Sequence, residues 1–224
     1  MPQDIKRFPV SHDSASHKPG RVRLARGVSP WLLPTVAATA ATALLSRRDR
    51  RWALAATPLA ALTGGMLWFF RDPERTPGPA RILSPADGVV QSIDPWPDGR
   101  TRVAIFMSPL DVHVNRAPLA GTVTSVEHVA GGFVPAFNKD SDKNERVVWH
   151  FATEIGDVEL VQIAGAVARR IIPYLTVGAK VARAERIGLI RLGSRVDVYL
   201  PEGIEPAVSV GQRTVAGVTG LDHG

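Results

Sequence analysis

The sequence predicts a mostly β domain carried behind a hairpin of two apolar helices, and three observations predict it. Two charge-free stretches, 27–46 and 52–70, lie near the front, separated by the basic run "RRDRR" at 47–51. From residue 71 onward, short Val- and Ile-rich runs alternate with turn-forming pairs. Two of the late runs repeat one pattern. The chain has 224 residues, 45% of them apolar, which is enough for one domain plus an appendage with a real core.

The first element is a basic tail. Residues 1–26 carry six Lys/Arg against two Asp, and "RRDRR" adds four Arg against one Asp, within a net charge of +6. These clusters flank apolar segments and are not interleaved with aromatics, so they fit an anionic membrane surface better than nucleic acid. The absence of cysteine excludes disulfides, thiolate catalysis and cysteine-ligated metal centres, and it fits a reducing compartment.

The second element is the hairpin, 27–70. Each apolar stretch has 19 or 20 residues, about the ~20 that a helix needs to cross the hydrocarbon core. Trp31, Trp52 and Trp68 stand at the segment edges, where indoles favour the interface. Pro34 and Pro58 interrupt Ala/Thr-rich runs, which weakens the drive to insert. A secretory signal is a poorer reading, because 26 largely polar residues precede the first stretch and a second follows at once. A buried hairpin of a soluble domain is the plainer alternative. If both helices span, the basic loop and the basic tail fall on opposite faces, and a shallow re-entrant hairpin removes that conflict.

The third element, 71–224, opens at "RDPERTPGP", where charge and proline end the apolar run. Strands are predicted at "GVVQSI", "TRVAIFM", "GTVTSVEHV", "ERVVWHF", "DVELVQIAG", "ERIGLI" and "RVDVYL", with turns at Asp87-Gly88, Pro97-Asp98-Gly99 and Gly131-Gly132. "YLTVGAKVARAERIGLI" and "AVSVGQRTVAGVTGL" share L/V-x-V-G-x-x-V/T. Such pairing suits two related hairpin units packed as a flattened barrel, as in a biotinyl/lipoyl-like barrel-sandwich. Lys180 in "VGAKVA" lacks the acidic or Met flanks of a modified carrier lysine, so a carrier role is not predicted.

Four stretches hold residues of chemical interest. "SPADG" (84–88) is, taken alone, an Asp-Gly turn. "FMSPLDVHVNRAP" (106–118) leads a strand into a polar run with His113, Asn115 and Arg116. "NER" (144–146) follows "FVPAFNKDSDK", whose aspartates lack the Gly and closing Glu of a calcium loop, so no metal site is predicted. "RLGSRVD" around Ser194 lacks the flanking residues of a hydrolase elbow. Its Gly-Ser pair is either a tight turn or a bond to be broken. Gly193, having no Cβ, lets the Ser194 hydroxyl approach its carbonyl closely. An N-to-O acyl shift followed by β-elimination would free the upstream chain and leave a pyruvoyl group, an electron sink otherwise supplied by pyridoxal phosphate.

Together with "WFFRDPER" (68–75), these stretches resemble the phosphatidylserine decarboxylase proenzymes, in particular their short bacterial and archaeal form. Five motifs stand in the family's order. The resemblance implies cleavage at Gly193–Ser194 into a β chain, 1–193, and an α chain, 194–224, that stay together and carry Ser194 as a covalent pyruvoyl cofactor. It implies that Asp87 and His113 are catalytic, with His113 the acid that protonates the product carbon. The long form's "DxHxxHxP" has a second histidine, which here is Arg116, so the processing triad does not transfer whole. Either His113 serves both steps or another base, such as His150, contributes. Arg116 and Arg146 are expected to meet the lipid phosphate or the substrate carboxylate. The implied partner is phosphatidylserine in an anionic membrane, at the cytoplasmic side of the cell membrane, with phosphatidylethanolamine and CO2 as products. A higher homo-oligomer is left open. Two alternatives remain: a decarboxylase of a soluble amino acid, and a membrane-anchored β-barrel adaptor without catalysis.

Overall fold

A computed structural model of the chain describes residues 22–132, 134, 143–165, 170–191 and 193–223. Most of the basic tail expected at 1–26, and the Asp-rich loop at 135–142, lie outside the described residues.

The hairpin leaves and rejoins the domain at one point. Strand β1 (Val22–Leu24) pairs antiparallel with β2 (Arg71–Pro73), Leu24 opposite Arg71. The Ala25 N–H closes the neck on the Phe70 carbonyl at 2.9 Å. Residues 22–24, read from sequence as part of a tail, are therefore one side of this clasp. Between the strands run α1 (Ser29–Ser46) and α2 (Ala53–Phe69), joined through a 3-10 turn at Arg50–Trp52. Eighteen residues of helix span about 27 Å at ~1.5 Å per residue. Pro34 and Pro58 lie inside the helices without ending them. The two helices meet through a Thr39–Thr63 hydroxyl hydrogen bond of 2.9 Å, and most of their apolar side chains face outward, Leu54 at 83% exposure. Arg50–Phe69 is long and apolar enough to cross a bilayer by length and composition.

The remainder is mostly β. Strands β3 (Gly88–Pro95), β4 (Thr101–Met107), β6 (Gly121–Val129), β7 (Arg146–Thr153) and β8 (Gly156–Ala164) carry the apolar alternation read from sequence. With β10 (Lys180–Val181), β12 (Ser194–Leu200) and β13 (Arg213–Thr214) they form a curled antiparallel half-barrel in the order β10-β6-β7-β8-β12-β4-β3-β13. Strands β5 (Val114–Arg116), β9 (Ile171–Pro173) and β11 (Arg186–Ile190) make a second, three-stranded sheet. Trp149, Phe151, Ile105, Leu160 and Leu200 are fully buried in the main core. A second cluster, with Phe69, Phe70, Val112, Val114 and Leu189, seats the hairpin base on β5 and β11.

The sequence repeat has a geometric counterpart. At one edge of the large sheet, Gly178 donates to the Val123 carbonyl while Val123 donates to that of Ala179. At the other edge, Gly211 donates to Val90 and Val90 donates to Gln212. Both glycines hold φ near +86°, at +85° and +87°, and the short strands β10 and β13 follow them. Gly131-Gly132 is not a hairpin turn: Gly132 bridges Asn144 in parallel.

Candidate active site

Ser194 opens the central strand. Strand β12 is bonded on both sides, Ser194 opposite Met107 of β4 and Ala164 of β8, and all seven of its residues are buried. The residue before it, Gly193, has φ +67°, and a Cβ built there meets nothing within 4 Å. The left-handed backbone, not crowding, is what favours glycine here. The choice between turn and scissile bond at Gly193–Ser194 therefore has a structural setting: a left-handed glycine turns the chain into a strand whose first side chain is a fully buried hydroxyl.

That hydroxyl donates to the Met107 sulfur at 3.4 Å. The Asn115 amide donates to the same sulfur at 3.5 Å, Gln162 donates to Asn115 Oδ1 at 2.7 Å, and the Trp149 indole donates to Gln162 at 2.7 Å. All five residues are fully buried. Burial of polar groups is tolerated because each finds a partner.

His113 is fully buried, just before β5. Its backbone carbonyl accepts the Ile190 N–H, on the segment that runs into Gly193. Its Nδ1 lies 2.9 Å from the Asp111 carbonyl, which accepts only, so Nδ1 carries the proton and Nε2 presents a lone pair. That Nε2 has no hydrogen-bond partner among the described residues. Burial pushes the imidazole down to about 4, against weaker upward pulls from Asp111 and Asp87. The Phe69 ring stands 4.4 Å away and brings the hairpin base onto the histidine.

Asp87 sits where "SPADG" turns into β3. Its carboxylate takes two hydrogen bonds from Arg75, of 2.5 and 2.7 Å, and the Ala216 N–H at 2.8 Å. Gly88 follows because a Cβ there would lie 2.1 Å from the Phe106 carbonyl. The "NER" stretch reaches the same neighbourhood: Asn144 donates to the Ala164 carbonyl at 2.8 Å, and Ala164 is the strand partner of Ser194. Arg146 starts β7, half-buried, with Nη1 on the Asn144 carbonyl at 3.4 Å. His150 pairs across from Glu159 and Ser125, several residues along β7 from that end.

Arg116 is buried among other partners. It donates to the Ala184 and Pro73 carbonyls at 3.0 and 2.9 Å and lies 3.5 Å from Asp72, which also binds Arg186 at 2.5 Å. Desolvation and Arg186 lower it to about 10. Met107, Gln162 and Arg75 were not singled out from sequence, and Asn115 was noted only as one of a polar run. Each sits in an ordinary strand or turn context, and only the fold brings them together.

Residues 62–221 match the family model described as phosphatidylserine decarboxylase. The chain is 71% identical over 216 residues to a phosphatidylserine decarboxylase proenzyme of Streptomyces griseus, covering 96% of this chain and all of that one. It is 64% identical over 201 residues to the corresponding proenzyme of Thermobifida fusca, covering 90% and 93%. It is 43% identical over 206 residues to a putative archaetidylserine decarboxylase proenzyme of Methanosarcina acetivorans, covering 88% and 94%.

Proposed function

The chain belongs to the phosphatidylserine decarboxylase family, and from that membership we propose that Gly193–Ser194 is its self-cleavage bond, with His113 and Asp87 serving the site. Its activity is the pyruvoyl-dependent decarboxylation of phosphatidylserine to phosphatidylethanolamine and CO2, after the proenzyme cleaves itself into α and β chains. The observation that carries the site assignment is the left-handed Gly193 set directly before a fully buried Ser194.

In the cleavage step, the Ser194 hydroxyl turns from the Met107 sulfur and attacks the Gly193 carbonyl carbon. The His113 Nε2 lone pair is the proposed acceptor of the hydroxyl proton. The Gly193–Ser194 C–N bond breaks, giving an ester and a free amine on residue 194. Elimination expels the Gly193 carboxylate, and water replaces the nitrogen of the resulting dehydroalanine, releasing ammonia. The ketone so formed supplies the electron sink for the carbanion left by CO2. His113, once protonated, is placed by this proposal to return a proton to the product carbon. Asp87, held by Arg75 and Ala216, positions the turn beside it. Of the two arginines expected at the lipid, Arg146 remains the proposed headgroup contact, and Arg116 is proposed instead as a structural cation on Asp72.

Strand β12 is gripped by β4 and β8 along its length, which supports the reading that 194–224 stays with 1–193 after cleavage. The paired edge turns at Gly178 and Gly211 support a biotinyl/lipoyl-like barrel-sandwich. The outward apolar faces of α1 and α2 support a hairpin seated in the bilayer, while the cytoplasmic placement of the β domain rests on the family resemblance.

The test compares intact mass, hydrazide or borohydride trapping, and phosphatidylserine turnover in the wild type and Ser194→Ala. Two fragments meeting at 193/194, a trapped carbonyl on the smaller one, and turnover only in the wild type are expected. A wild type that is folded and membrane-bound yet intact and carbonyl-free would overturn the assignment.

A further inference from the structure

Arg71 stands two residues past the end of α2, where the hairpin rejoins the domain. Its Nη1 donates to the Trp68 carbonyl at 2.8 Å and its Nη2 to the Leu110 carbonyl at 2.6 Å. The guanidinium lies 4.0 Å from the centre of the Trp68 indole. It thus bridges the membrane helix to the 108–111 turn, whose backbone leads straight to His113.

The other arginines of this junction that reach inward have acids. Arg75 holds Asp87, Arg116 and Arg186 share Asp72, and Arg213 holds Asp111. Arg71 has no carboxylate within ion-pair distance among the described residues. Asp87 and Asp111 are near enough to act on its charge, but each is already bound by another arginine. Burial weakens the hold of Arg71 on its proton, as it must for a cation that is partly desolvated without a counter-ion. A guanidinium has five N–H groups, and two carbonyls leave three for an anion.

The surroundings indicate which anion. Trp68 is 58% exposed and Leu110 73% exposed, so large apolar groups flank the charge on the bilayer side. On the other side is His113, on whose imidazole Arg71 also acts, with its buried and unpartnered Nε2. A cation between an apolar rim and the reacting site stands at the depth of a lipid phosphodiester. The substrate carboxylate is a poorer match. A guanidinium fixed on it would stabilise the ground state more than a transition state in which that charge is leaving.

We propose that Arg71 binds the phosphodiester of the lipid substrate and thereby sets how far the serine headgroup reaches toward Ser194. The proposal rests on the function given above. Its test uses the self-cleaved full chain and dihexanoyl-phosphatidylserine below its micelle concentration, so that affinity for membranes does not enter KM. Arg71→Gln is expected to raise KM about tenfold or more with kcat changed less than about threefold, and Arg71→Lys to recover part of the loss. Dihexanoyl-phosphatidylethanolamine keeps the phosphate and lacks the carboxylate, so its competitive inhibition is expected to weaken by the same factor as KM. An unchanged KM would reduce Arg71 to a structural bridge, and a raised KM with undiminished product inhibition would move it to the carboxylate. Both outcomes overturn the proposal. The extent of self-cleavage reports folding. Should Arg71→Gln not mature, Arg71→Lys carries the test, and wild-type KM and inhibition in that variant overturn it. Failure of the wild type itself to turn over the lipid would instead remove the functional reading beneath.

Discussion

The hydroxyl of Ser194 is bonded to the thioether of Met107, not to a base. A thioether is a weak acceptor and takes no proton. In the proposed role of Ser194 the nucleophile is therefore held in place without being activated, and cleavage would begin with a rotation away from sulfur. Met107→Leu keeps the volume but removes the acceptor of the buried Ser194 hydroxyl and Asn115 amide, at a stability cost of about 1–3 kcal/mol. Losing a weak hydrogen bond of about 1 kcal/mol in the resting state is expected to speed self-cleavage up to about fivefold. A time course of fragment appearance after synthesis checks this, and a slower variant would mean that Met107 aligns the attack.

Gly193→Ala separates backbone strain from crowding. The added methyl meets nothing within 4 Å, so the cost is that of a left-handed alanine, about 1–2 kcal/mol. In a Ser194→Ala background, where no cleavage intervenes, denaturant unfolding is expected to show that loss. With Ser194 present, fragment formation is expected to slow about tenfold.

His113 gives stability a defined pH dependence. Its folded pKa of about 4 lies below the ordinary value of 6.5, so below pH 6.5 the unfolded chain binds the extra proton. The contribution of this histidine is fully present above pH 6.5 and is lost as pH falls toward about 4, by roughly 3 kcal/mol in all. Uncleaved Ser194→Ala protein, melted between pH 4 and 8 beside Ser194→Ala/His113→Gln, is expected to show the acid loss only when His113 is present. Self-cleavage through the same neutral imidazole is expected to be flat from pH 6 to 8.

Asp87→Asn keeps the shape and removes the charge that Arg75 requires. Both side chains are nearly buried, so breaking the pair is expected to cost about 3–5 kcal/mol. Arg75→Ala is expected to fall in the same range. Double-mutant unfolding in the Ser194→Ala background tests whether the losses overlap, as a coupled pair requires.

Arg116→Lys tests structure against substrate contact. The lysine cannot serve Asp72, Pro73 and Ala184 at once, so a lower melting temperature with an unchanged KM is expected. A raised KM at full stability would return Arg116 to the lipid.

The long strands were legible because apolar alternation over seven to nine residues survives any context. Residues 121–129 form β6 with the predicted bounds. The repeat was legible for a similar reason: left-handed turns at Gly178 and Gly211 leave glycine at matching places. Strands β5 and β9, three residues each, are too short to show a period, so the second sheet was not foreseen. Ser194, Gly193, His113 and Asp87 stood in motifs. Asn115 stood in one too, but its link to Gln162 and Trp149 did not show, because a buried amide network is made by three strands and leaves no trace in any one of them. Arg71 and Arg116 are the same residue type, and only the positions of Asp72, Asp87 and Asp111 tell an arginine with an acid from one without.

Strand β12 lies between β4 and β8, with four strands of the large sheet on one side and three on the other. The proposed cut at its first residue severs connectivity while the ladder bonds from Arg195 to Leu200 remain. What results is a native state that its own pieces have no direct route back to. The 194–224 fragment is too short to build a core alone, and 1–193 lacks the strand that joins its two halves. Maturation is thus a one-way event performed on a folded precursor. Once unfolded, the mature enzyme is lost to aggregation or proteolysis, and its working lifetime is set by an unfolding rate and not by an equilibrium.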